Sequence, residues 1–183
     1  MHYDTVTTIL LTITPAFSLG IPALITREIP VDTVGNAQLF WAGDTSLVSQ
    51  FLSMAPSLSG QDLANAAASA LTSEGDELTQ KGVLDAVFRT LGSGEAGGAL
   101  TDITAANTTL VEQGTFQFVV NGLNDLVING ADFSPDQVLS SVTMINTVRC
   151  NSVLPAIDIY LGSAAVLSGR PFPNVAVRPD NCP

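Results

Sequence analysis

Histidine decides first what chemistry this chain can do, and it occurs once, as His2. His2 lies in an N-terminal stretch with the marks of a removable leader, so the mature chain is expected to contain none. Without an imidazole there is no Ser-His-Asp or Cys-His nucleophile system. The ordinary zinc, haem and di-iron carboxylate sites are excluded for the same reason. The two cysteines, Cys150 and Cys182, are expected to be joined to each other, which removes thiol catalysis. Lys81 is the only lysine, so a serine–lysine dyad or a Schiff base would have to use it.

Three constellations of other residue types remain. Glu74 stands with Glu77 and Lys81, on an apolar stripe of Leu63, Ala67, Ala70, Leu71 and Leu78. Burial there would raise its pKa, and paired with a second acid it could serve a glycosidase. The competing reading ends the helix at Gly75, exposes Glu74 and pairs Glu77 with Lys81 four residues on. One Trp and two Tyr are thin material for a sugar groove. The second reading is therefore preferred and no catalytic residue is assigned.

The oxygen-rich group Asn124, Asp125, Asn129, Asp132 and Asp136 could hold calcium. It lacks the EF-hand spacing and the terminal bidentate Glu, and helix-end Asx residues explain it without a metal. Phe116 and Phe118 with the aliphatic helix faces could line a pocket for an apolar ligand. The segment from Gly92 to Gly98 reads as a flexible loop, with no following Lys-Ser/Thr to make a phosphate cradle. No metal and no cofactor is expected, and the ligand-binding residues are left unknown.

The elements that position these residues begin after a leader. Val6 to Leu19 is apolar and is followed by Gly20, so residues 1–20 read as a secretory signal peptide despite an n-region without Lys or Arg. Residues 21–35 read as an N-terminal arm or short pro-segment, and 36–183 as one domain. A second long apolar run is not seen, so a membrane span is not expected. Losing residues 1–20 removes Asp4 and leaves 16 acidic and 6 basic residues. That balance disfavours nucleic acid and anionic lipid as partners. In an oxidising compartment the Cys150–Cys182 pair would contribute roughly 3 to 4 kcal/mol, and Asn107-Thr108-Thr109 is a glycosylation sequon.

Helical periodicity dominates the mature region. Phe116, Val119, Val120, Leu123, Leu126 and Val127 form one amphipathic run, stopped at Asn129-Gly130. Ser134-Pro135-Asp136-Gln137 offers an N-cap, a proline at the first helical position and a capping-box glutamine. Val138, Val142, Ile145 and Val148 continue that helix until Pro155 is expected to break it. Two units look alike at an offset of 75 residues, with Val48 matching Leu123, Phe51 Leu126, Leu52 Val127, Ser59 Ser134 and Leu63 Val138. An internal duplication and the ordinary look of an up-down bundle both account for this, and the second is preferred. The expected fold is all-α, a compact helical bundle of about five to seven helices. An extended C-terminal arm would be tied back to it by one disulfide.

The stretches Asn36-Ala37-Gln38-Leu39-Phe40, Glu77-Leu78-Thr79-Gln80-Lys81, Asn146-Thr147-Val148-Arg149-Cys150 and Arg178-Pro179-Asp180-Asn181-Cys182 resemble a type of small secreted protein of filamentous fungi. The resemblance covers about residues 36–182. It implies an extracellular or cell-wall setting and a role at a host or hydrophobic surface, and it carries no site residues. The expected function is that of a non-catalytic secreted protein acting at the cell wall, a hydrophobic surface or a host interface. A carrier of a lipid or other apolar small molecule is the alternative, and an acid-only hydrolase the third.

Overall fold

A computed structural model describes residues 31–95, 97–170 and 175–183. The expected signal peptide and the first ten residues of the expected arm lie outside the described residues. Helix α1 (Val31–Met54) begins five residues inside that arm, where Val34 is already buried. A 3-10 turn, Ala55–Ser57, leads to α2 (Gly60–Glu95), and α3 (Gly97–Asn107) runs into a π-turn, Thr108–Glu112. Then come α4 (Thr115–Asn129), a 3-10 turn at Gly130–Asp132 and α5 (Pro135–Val148). A second π-turn, Arg149–Val153, connects α5 to α6 (Leu154–Ser168).

The described residues are all-α, but the helices run on into one another and make four continuous rods rather than five to seven separate helices. The expected interruptions at Gly75 and Pro155 do not occur. Helix α2 passes through Gly75, because Ser73, Glu74 and Glu77 on either side of it are buried against the bundle. A penalty of about 1 kcal/mol for a mid-helix glycine is small beside that packing. The segment Gly92 to Gly98, read as a loop, is helical up to Glu95 and again from Gly97. Pro155 does not break its helix either: it sits in the first turn of α6, just after the π-turn. There the widened helix moves the carbonyl that its ring would otherwise strike. The resulting rod, Pro135–Ser168, is long and apolar enough to cross a membrane by length and composition. Its apolar residues Val138, Val142, Ile145, Leu154, Ile157 and Leu161 are, however, spent on the bundle core.

Local signals elsewhere act as read. Ser134 Oγ accepts from the Gln137 amide at 3.4 Å while Gln137 Oε1 accepts from the Ser134 amide at 2.8 Å, closing the capping box. Phe116, Val119, Leu123 and Leu126 are buried along α4.

The 75-residue offset extends far beyond the five positions noted in the sequence. The turn Ala55–Ser57 corresponds to Gly130–Asp132, and the start of α2 at Gly60 to that of α5 at Pro135. Leu58 donates to Ala55 O at 3.0 Å and Phe133 to Gly130 O at 3.2 Å, the same bond one repeat later. Packing is reciprocal as well. Helix α1 lies on α6 while α4 lies on α2, and the first 3-10 turn packs on α5 while the second packs on α2. Such exchange of equivalent contacts is the signature of a twofold, isologous association. The duplication therefore accounts for more of the architecture than the ordinary bundle reading does.

The C-terminal arm is held by side chains from two rods, α1 and Pro135–Ser168. Ser49 Oγ donates to Val177 O at 2.7 Å, the Asp180 amide donates to Ser53 Oγ at 2.9 Å, and Asn146 Nδ2 donates to Asn181 Oδ1 at 2.8 Å. Arg178 pairs with Asp158, and the Cys150–Cys182 disulfide closes the end. Replacing both cysteines by serine is expected to lower unfolding stability by about 3–4 kcal/mol for a loop of this length. Helical circular dichroism should stay unchanged, because the disulfide ties the non-helical C-terminal arm to the bundle and not one helix to another. Urea titration of the two forms checks it.

Candidate functional site

Two polar clusters meet in the interior. The deeper one is built on α2, where Glu74 and Glu77 are three residues apart and so share a face. Both are fully buried, as is Arg149 in the second π-turn. Arg149 Nη1 donates to Glu74 Oε2 at 2.7 Å and Nη2 to Glu77 Oε1 at 2.9 Å. Nη2 also approaches the Thr45 carbonyl at 3.3 Å, and Trp41 Nε1 donates to Glu77 Oε2 at 3.0 Å. Glu74 Oε1 and Arg149 Nε find no partner among the described residues.

Two carboxylates facing one guanidinium leave an excess negative charge where no solvent reaches. Burial pushes the Glu74 carboxyl up to about 8; Arg149 opposes this and the Glu77 carboxylate adds to it. Burial alone would lower the Arg149 pKa, but Glu74 and Glu77 outweigh it and raise it. Asp44, half-buried on α1, is pushed up to about 6 by burial and by the nearby Asp76 and Glu77.

These positions correct the preferred reading of the sequence. Glu74 is not at an exposed helix end, and Glu77 pairs with Arg149 rather than with Lys81. An exposed i,i+4 pair contributes only about 0.3–0.5 kcal/mol, whereas a buried carboxylate without a partner loses several times that. Leu78, placed on the buried stripe, is instead exposed.

The second cluster lies nearer the surface. Lys81 Nζ donates to Asp85 Oδ2 at 2.7 Å and to Asn107 Oδ1 at 2.6 Å, and sits 5.3 Å from the centre of the Tyr160 ring. Tyr160 Oη donates to Asp85 Oδ1 at 2.7 Å; burial and this bond raise its pKa. Tyr160 joins the two clusters, because its ring packs against Trp41 at 5.2 Å. A cavity of about 220 Å³ opens beside it, lined by Asp85, Phe88, Arg89, Ile103, Thr104, Asn107 and Tyr160.

The other residues singled out do not converge. Phe116 is buried in the core while Phe118 is exposed, so they do not line a common pocket; two residues along a helix turn the side chain by about 200°. Asn129 donates to Asp125 at 2.7 Å across exposed helix. Among the described residues no group of three or more His, Cys, Asp or Glu is arranged so that it could hold a metal ion. Asn107, the sequon residue, is half-buried and lines the Tyr160 cavity, so a glycan on its nitrogen would fill that space.

Arg149, Trp41, Asp85 and Tyr160 were not singled out by sequence reasoning. For all of these but Trp41 the offset of 75 was a signal: Glu74 and Arg149 are 75 apart and in contact, and so are Asp85 and Tyr160.

Glu74 predicts a pH dependence of stability. Its folded pKa lies above the ordinary 4.5, so the folded state holds a proton that the unfolded state has lost between pH 4.5 and about 8. Stability therefore falls as pH rises through this window. The Glu74→Gln variant should flatten that slope, as read by melting temperature at closely spaced pH values.

Comparison with family models, curated proteins and solved structures finds no match to this chain.

Proposed function

We propose that this chain is a non-catalytic, secreted protein that acts by adsorbing to an apolar surface, at the cell wall or at a host interface. One observation carries this reading: α1 is apolar on its outer face as well as its inner one. Its inner residues Ala37, Trp41, Val48, Phe51 and Leu52 are in the core, while Phe40, Leu47 and Met54 are each more than half exposed. Their seven-residue spacing keeps them in one line along the helix, drifting only about 20° per step. A helix apolar all round is normally covered on all sides, and α1 has an open side.

Support from the ionisable groups runs the same way. Glu74 and Glu77 are sealed from solvent, and Lys81 is tied to Asp85 and Asn107. None of them reaches a substrate in the folded chain, which weakens the acid-only hydrolase. The lipid-carrier alternative would need more room than the cavity beside Tyr160 offers. A second, more open hollow by Pro155, of about 320 Å³, lies near the lower limit for ligand sites.

Export by residues 1–20 predicts that secreted material begins at Ile21, which intact-mass measurement reads directly. For adsorption, the triple variant Phe40→Ser, Leu47→Ser, Met54→Ser should lose at least about tenfold in binding to an octadecyl surface. Its helical signal should be unchanged. Unaltered binding, or binding abolished by high salt instead, would count against the proposal.

A further inference from the structure

We propose that the cavity beside Tyr160 is a binding site for a small monocarboxylate with a ring-sized apolar body. Size comes first. A dry apolar cavity of about 150 Å³ accommodates benzene, so 220 Å³ takes a ring with a carboxylate attached. An extended acyl chain does not fit the same space.

Chemistry selects the charge. The Asp85 carboxylate already has a donor on each oxygen, Tyr160 on Oδ1 and Lys81 on Oδ2. It is neutralised by Lys81 and has little attraction left for a cation. Two donors in the lining are in the opposite condition. Arg89 makes one hydrogen bond among the described residues, from Nε to the Asp85 backbone oxygen at 3.1 Å, which leaves both Nη groups to solvent at an exposed position. Asn107 has its Oδ1 occupied by Lys81, while Nδ2 has no partner among the described residues. Donors held only by water can exchange it for a ligand's acceptors, and a guanidinium favours a carboxylate or phosphate.

Charge and surface then separate those two. Lys81, Asp85 and Arg89 give the site one excess positive charge in a chain whose net charge is −11, which balances a monoanion and not a dianion. Phe88, Ile103 and Tyr160, with Phe88 edge-on to Tyr160 at 6.1 Å, are nearly buried and present the cavity with apolar edges that a bare phosphate would leave unused. The site requires an unmodified Asn107.

The test uses the disulfide-bonded chain made without N-glycosylation, titrated with benzoate, benzamide and benzamidine. Trp41, the only tryptophan, touches Tyr160 and reports occupancy by its fluorescence; amide shifts locate the ligand. Benzoate should saturate with a millimolar or tighter dissociation constant and shift Phe88 and Ile103. Benzamide should bind at least about tenfold more weakly. Arg89→Met, at an exposed position, should weaken benzoate by a similar factor and leave benzamide unchanged. Ile103→Ala should weaken both ligands alike. The proposal is overturned by equal binding of benzoate and benzamide, by preference for benzamidine, by indifference to Arg89→Met, or by no saturation up to about 50 mM.

Discussion

Three helical segments of this bundle converge on one buried guanidinium. Arg149 reaches from the π-turn in the middle of the rod Pro135–Ser168 to two carboxylates on α2 and a carbonyl on α1. Taking three charged groups out of water is expensive, and their mutual attraction offsets that expense only when the geometry is closely held. The geometry here is held by the π-turn that carries Arg149, by the unbroken α2 that keeps Glu74 and Glu77 on one face, and by the Trp41 indole that fixes the far oxygen of Glu77. A proton on Glu74 at neutral pH removes the last uncompensated charge.

The internal repeat explains why the charges sit there. In a twofold association, residues on the axis meet their own equivalents. Glu74 and Arg149 are equivalents in contact, and so are Asp85 and Tyr160. Identical acids at those places would face each other as like charges in a dry interior. Opposite or neutral partners relieve that conflict, and they are possible only because both halves lie on one chain and can differ. The two clusters thus mark the seam between the halves, and the cavity beside Tyr160 lies at the outer end of that seam.

What was legible in the sequence was local. The Ser134 capping box depends on four adjacent residues, and the α4 face on a regular period. The Cys150–Cys182 bond follows from there being two cysteines. What was not legible depended on distant burial. Gly75 looks like a helix end until the residues around it are known to be buried on both sides. Pro155 looks like a break until the π-turn before it is known. Glu77 looks like a partner for Lys81 because nothing in its neighbourhood points to Arg149, 72 positions away. The offset of 75 contained the missing information, but five matched apolar positions did not distinguish a repeat from a bundle. The matched turns and the reciprocal packing do.

The buried acids Glu74 and Glu77 join the two halves through Arg149. A double-mutant cycle on Arg149 with the two glutamates tests this most directly, read as unfolding free energy in urea. Arg149→Met alone should destabilise by about 3–5 kcal/mol, because it strands buried carboxylates. Adding Glu74→Gln and Glu77→Met should restore most of that loss, giving a coupling of at least about 2 kcal/mol. Additive losses, or an Arg149→Met variant within about 1 kcal/mol of the parent, would contradict the account.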